Sequence, residues 1–378
     1  MRSVSKQKKI EYVNIALLAT FGLMALLQSA VSFIPGVSAL LDNYVVNIIL
    51  SQSITILPFV IMFIYCGTNL SQEIKIKKIS AGSFWLTVLL AFLIQPVLRF
   101  VNALSLCFTD NQTSNMILEI SETIPFPVGL LLVAVLPAMV EEIIFRGAVY
   151  RSYKNASPGK AVLLSAFLFG LLHGNLNQFM YAFVMGIIFA FLIEASGSIV
   201  SSMIVHFITN AISVCSIYLL PGLYDYMKTA VELYGEMGME EMVEYVEYTM
   251  GDMSLTSGEW MRQMLAEAEK VEISFGAVLL NFLPSALIFG TISWIVIKTI
   301  ARKSGNWDRF RVMFLGVDAV PLEKESKGPY DTEMTSELDE AEGDCSLKIL
   351  SIPLMVAIAV GVVMMFVFET IKLLPQMS

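Results

Sequence analysis

The sequence predicts an all-α fold, a polytopic transmembrane helical bundle of about 8–9 spans with an acidic extracytoplasmic helical insertion. Three observations lead there. Of the 378 residues 56% are hydrophobic and only 15% are charged, whereas a soluble domain carries about 25% charged residues. Apolar runs long enough to cross a bilayer fall at 13–35, 46–67, 83–106, 128–152, 161–177, 179–195, 198–220, 273–298 and 349–371. Lysine and arginine collect in alternate connections: Arg2, Lys6, Lys8 and Lys9, then Lys75, Lys77 and Lys78, then Arg151, Lys154 and Lys160, then Arg302, Lys303, Arg309 and Arg311. The short intervening loops 36–45 and 107–127 hold none. This bias expects a multi-pass protein of the cytoplasmic membrane with its N-terminus in the cytoplasm.

Taken in order, the first run is too long for the apolar part of a signal peptide and lacks a small-residue cleavage site, so it reads as an uncleaved span. Residues 1–124 form a group of N-terminal transmembrane helices, and 125–220 form a central group. Residues 221–272 are acidic. There Met239, Met242, Val243 and Val246 alternate at helical spacing with Glu240, Glu241, Glu244 and Glu247, as in an amphipathic helix at the outer surface. Thr256 and Glu259 have the spacing of a capping box that opens a second helix. Residues 273–378 complete the bundle and include an acidic, Ser/Thr-containing cytoplasmic linker at 322–344. The net charge of −9 argues against nucleic acid as a partner. Cys66, Cys107, Cys215 and Cys345 stand too far apart for a CxxC motif and read as packing residues.

The informative residues are the polar ones inside the spans, because a charge at mid-membrane costs roughly 2.5–3.5 kcal/mol and needs a reason. The fourth run contains Val140-Glu141-Glu142-Ile143-Ile144-Phe145-Arg146. Glu142 and Arg146 share a helix face at i, i+4 and are expected to pair. Glu141 is turned about 100° away and is left to face a cavity. Both histidines of the chain lie in apolar runs: His173 one turn after Phe169, and His206 one turn before Asn210. Counted at about 1.5 Å per residue from the basic ends of their spans, Glu141, His173, His206 and Asn210 fall in one layer near the midplane.

A carboxylate and two imidazoles converging in a low-dielectric cavity activate water, either directly or on a metal. Glu141, His173 and His206 would satisfy zinc and leave it an open position. A metal-free site is equally consistent. In it Glu141 and His173 hold and deprotonate the water, while His206 and Asn210 donate hydrogen bonds to the developing oxyanion.

The motifs Glu-Glu-x-x-x-Arg, Phe-x-x-x-His and His-x-x-x-Asn on successive membrane helices resemble the signature of the CAAX protease and bacteriocin-processing (CPBP) family. Its best-known members are the type II CAAX prenyl endopeptidases. The resemblance covers about 125–215 and implies an intramembrane endopeptidase acting on a membrane-associated peptide or protein. It implies Glu141, His173, His206 and Asn210 as the catalytic set, with Glu142 and Arg146 supporting. Glutamate-dependent and metalloprotease schemes are both described for such proteins. The alternatives are a non-catalytic relative that binds a membrane partner or confers immunity, and a secondary transporter using the same residues as a proton relay. Substrate is expected to approach from the cytoplasmic leaflet, with 221–272 covering the outer face.

Overall fold

The computed structural model describes residues 4–34, 36, 41, 43–67, 76–109, 112–237, 239–251, 253–270, 274–315 and 346–373. The expected linker 322–344 lies outside them. Every regular element among the described residues is helical. In chain order they are α1 (Lys6–Phe33), α2 (Tyr44–Cys66), α3 (Ala81–Leu93), α4 (Gln95–Ser105) and α5 (Gln112–Thr123). The fourth span, α6 (Phe126–Lys154), is followed by α7 (Pro158–Leu172), α8 (Leu176–Ser196) and α9 (Ile199–Glu236). Then come α10 (Glu240–Met250), α11 (Ser257–Lys270), α12 (Phe275–Asn281), α13 (Leu283–Lys303), α14 (Trp307–Leu315) and α15 (Ile352–Leu373).

Among the described residues seven segments are long and apolar enough to cross a membrane, and the shorter apolar helices at Pro158–Leu172 and Ile352–Val367 fall on the two other expected runs. Their starts are legible in local chemistry. The side chains of Ser5, Asn43, Ser80, Asn175 and Ser198 each accept a hydrogen bond from a backbone N–H in the first turn of the helix that follows. These caps satisfy donors that a helix cannot bond internally. Polar groups left bare in lipid would cost several kcal/mol each, so the chain places its caps where spans begin.

The main core is a cluster of apolar side chains to which α1–α4, α6–α9 and α13–α15 all contribute, with Phe59, Phe145, Phe169 and Phe189 almost fully buried. The α7–α8 hairpin packs backbone against backbone: a Cβ on Gly186 would lie 2.7 Å from the Cα of Ala166. Small residues at such crossings allow dispersion contacts that lipid cannot replace. Two departures from regular geometry matter for function. The fourth span is π-helical over Leu131–Val135 and again over Ile143–Tyr150, on either side of the α-helical Leu136–Glu142. Helix α9 is 38 residues long and runs unbroken through the expected boundary at 220/221, with Pro221 inside it. At about 1.5 Å per residue it spans nearly 57 Å, far more than a bilayer core of about 30 Å.

The end of α9 carries the acidic insertion. Tyr224 stacks on Trp260 with ring centroids 4.8 Å apart, Met261 is buried against Leu118 and Ile217, and Arg262 pairs with Glu122 of α5 at 2.5 Å. The capping box is present: Thr256 N–H donates to Glu259 at 2.9 Å, and the Glu259 N–H donates to the Thr256 hydroxyl at 3.3 Å. Of the expected apolar stripe on α10 only Val246 is buried, whereas Met239 and Met242 stay exposed.

Candidate active site

Glu141 and Glu142 close the α-helical stretch of α6, side by side in sequence and turned to different neighbours. Glu142 is fully buried and lies 3.1 Å from the guanidinium of Arg146, the pair expected from their spacing. Its Oε1 also accepts from Nδ1 of His206, on α9, at 3.0 Å. Arg146 stacks over two aromatic rings, with its guanidinium carbon 4.3 Å from the centroid of Phe169 and 4.8 Å from that of Phe189. Phe189 lies beneath the imidazole of His206 as well, at 5.4 Å and 29°. A cation held between an aromatic pair and a carboxylate is neutralised without water, which is what burial at this depth requires.

Glu141 faces the other way, as expected, into a cavity of about 800 Å³. Its Oε1 accepts from Gln52 of α2 at 3.3 Å, and its Oε2 has no hydrogen-bond partner. Oε2 lies 3.8 Å from Nε2 of His206, too far for a direct hydrogen bond. His206 therefore stands between the two carboxylates, one ring nitrogen toward each. Only the imidazolium form donates from both nitrogens.

His173 is not inside a span. It is the residue that ends α7, just before Gly174, whose φ of +67° turns the chain into α8. Its Nδ1 contacts the Phe169 carbonyl at 3.0 Å. A carbonyl only accepts, so Nδ1 carries the proton and Nε2 keeps its lone pair in the neutral ring. His173 lines the same cavity, and its ring meets that of Phe169 edge-on at 5.2 Å.

Asn210 also lines the cavity, and one of its amide hydrogens is used: Nδ2 donates to the Val133 carbonyl at 3.2 Å. That carbonyl is four residues before Pro137, which has no N–H to offer it. Asn210 thus satisfies a backbone group freed by a proline in the membrane, and a second N–H remains on the amide.

Glu141, His173, His206 and Asn210 all line this cavity, whereas Glu142 and Arg146 are buried outside its lining. As ligands for zinc the fit is poor: among the described residues no three His, Cys, Asp or Glu side chains converge on a point. The expected triad of Glu141, His173 and His206 is included in that statement. Two contributors escaped the sequence reading. Gln52 is signalled by its position within the polar stretch Ser51-Gln52-Ser53 of an apolar span, whereas Phe189 lies in an ordinary apolar run and gives no signal.

The cavity also corrects the expected route of approach. Its lining runs from Glu141 and His206 toward Tyr44 and Asn47 in the first turns of α2, Asn102 near the end of α4, and Ser213, Ser216 and Ile217 of α9. This is the end whose short loops hold no lysine or arginine. The opposite end is closed by a buried ion-pair cluster, where Glu194 meets Lys154 at 2.7 Å and Arg309 at 2.6 Å. Counting depth along helices does not say which half of the bundle is hollow.

Residues 123–212 match the model of a family described as type II CAAX prenyl endopeptidase Rce1-like. The matched stretch holds Glu141, Glu142, Arg146, His173, His206 and Asn210, and it supports the resemblance to CAAX proteases drawn from those motifs. No curated protein and no solved structure matches the chain.

Proposed function

We propose that this protein is an intramembrane endopeptidase that hydrolyses a peptide bond of a membrane-associated peptide or protein. The observation that carries this reading is the orphaned Oε2 of Glu141, buried at the inner end of a cavity and facing His206 at 3.8 Å. A cavity of about 800 Å³ lies within the range of roughly 300–1,000 Å³ usual for ligand sites, enough for a short stretch of peptide.

In this scheme Glu141 takes a proton from a water that His173 Nε2 helps to hold, and the hydroxide attacks the scissile carbonyl. The oxyanion accepts hydrogen bonds from His206 Nε2–H and from the free amide hydrogen of Asn210. Collapse of the intermediate breaks the C–N bond, and Glu141 returns its proton to the leaving amine. Glu142 and Arg146 do not touch the reacting atoms. They hold His206 in register: Glu142 Oε1 meets its Nδ1 at 3.0 Å, and Arg146 fixes Glu142 from the other side at 3.1 Å. Among the described residues no three His, Cys, Asp or Glu side chains converge, and in this scheme side chains alone activate the water.

The test compares membrane peptides released in cells expressing the wild type and Glu141→Gln. Products should vanish in the variant although it accumulates normally, and wild-type turnover in proteoliposomes should survive exhaustive chelation. Unchanged products from Glu141→Gln would overturn the proposal, and loss of turnover on chelation would replace the metal-free scheme with a metal-dependent one.

A further inference from the structure

One charge in the cavity has no task in this chemistry. Arg99 of α4 is exposed on the cavity wall and, among the described residues, is the only lysine or arginine lining it, while Glu141 is the only carboxylate. No hydrogen bond or ion pair reaches Arg99 from any described residue. Its neighbours on the same face are engaged: Gln95 Nε2 donates to the Ala91 carbonyl at 2.8 Å, and Asn102 Oδ1 accepts from Asn177 at 3.0 Å. Arg146, the other arginine of this region, is stacked on two rings and paired with Glu142. The contrast matters, because an arginine within a span is costly unless an anion or water meets it. A guanidinium presents five donors in a planar fork that matches a carboxylate with two parallel hydrogen bonds.

We infer that Arg99 anchors a carboxylate of the substrate, so that the cleft takes an anionic peptide and seats its scissile bond against Glu141. The inference rests on the endopeptidase reading only for what happens after binding. The carboxylate has two possible sources, the terminus of a peptide or an Asp or Glu side chain, and both would use the same fork. Arg99 is six residues before the end of α4, about 9 Å along the axis, and a long side chain at that depth also reaches lipid headgroups. A structural arginine of that kind would respond to lipid charge rather than to the peptide.

The experiment measures binding, with no turnover required. The full chain in nanodiscs of neutral phosphatidylcholine is titrated with three short apolar peptides: one with a free terminal carboxylate, its terminal amide, and the amide carrying one internal Asp. Wild type should bind at least one carboxylate-bearing peptide roughly tenfold to a hundredfold more tightly than the plain amide, the range of a hydrogen bond to a charged group. The preference should disappear in Arg99→Gln and return in part in Arg99→Lys. Whichever acid binds tightly identifies the source of the carboxylate. Equal affinity for all three peptides, or a preference that persists in Arg99→Gln, would overturn the inference. So would an Arg99 effect that appears only when anionic lipid is added. Because the readout is binding alone, failure here is distinguishable from failure of the hydrolytic scheme, which is read from released products.

Discussion

Glu142→Ala separates the two adjacent glutamates by stability alone. The substitution leaves Arg146, only 2% exposed, without its carboxylate, and removes the acceptor from His206 Nδ1. Breaking a buried pair by deleting one member costs about 3–5 kcal/mol, because the remaining charge stays buried. Glu141→Ala removes one hydrogen bond from Gln52 and opens a site already lined by the cavity, a loss of about 1 kcal/mol. The difference between the variants is therefore about 2–4 kcal/mol, which at roughly 2–4 °C per kcal/mol for chains of a few hundred residues amounts to several degrees of apparent melting temperature. Melts of detergent-purified protein should show Glu141→Ala near wild type and Glu142→Ala clearly lower. The double variant Glu142→Ala/Arg146→Met should recover part of the loss, since it removes the stranded cation. Equal melts for the two glutamate variants, or a double variant as unstable as the sum of its parts, would refute the division of roles.

Two further outcomes follow from the geometry. In a chain lacking its native cysteines, Asn47→Cys and Ser213→Cys line the cavity and should react with a membrane-impermeant thiol reagent only in right-side-out vesicles, and Ser196→Cys only in inside-out ones. The reverse labelling would place the cavity mouth in the cytoplasm. The backbone N–H and then the hydroxyl of Thr256 hold the Glu259 carboxyl below the usual carboxylate range. Because the folded value is depressed, the stabilisation of α11 is present above the unfolded pKa and is lost as pH falls through the folded one. Amide exchange in α11 should accelerate across that acidic window in wild type and show no such step in Glu259→Gln.

Much of the site was legible because its signals are local. The Glu142–Arg146 pair follows from spacing within one helix, and the outward turn of Glu141 follows from the same geometry. The contact of His206 with Glu142 was not legible, since it depends on how α9 is rotated against α6. Neither were the π-helical stretches, which widen α6 on both sides of the glutamates without any residue type that demands them. Pro137 is visible within the fourth apolar run, but the sequence does not show which partner its missing N–H releases. What it frees, the Val133 carbonyl, explains half of what Asn210 does. Arg99 was in plain view as a charge within an apolar run, by the same criterion that singled out Glu141, but it belongs to no motif. Counting along the apolar runs put His173 inside a span, whereas it ends α7, and the open side of the cavity depends on how α2, α4 and α9 splay apart.

Helix α9 carries His206 and Asn210 on the cavity lining and Tyr224 against Trp260 of the acidic insertion, all on one continuous rod. Eighteen residues separate His206 from Tyr224, about 27 Å of helix. Each residue added to or removed from that interval turns one end by about 100° against the other. Either the imidazole leaves Glu142 or the Tyr224 ring leaves Trp260. Substitutions along the rod are absorbed one at a time, but its residue count is not. Lengths that keep both ends in register recur only after near-integral numbers of turns, about seven or eleven residues. The interval 206–224 is accordingly a gauge of fixed length, and insertions in this chain belong beyond it, in the connections after Glu236.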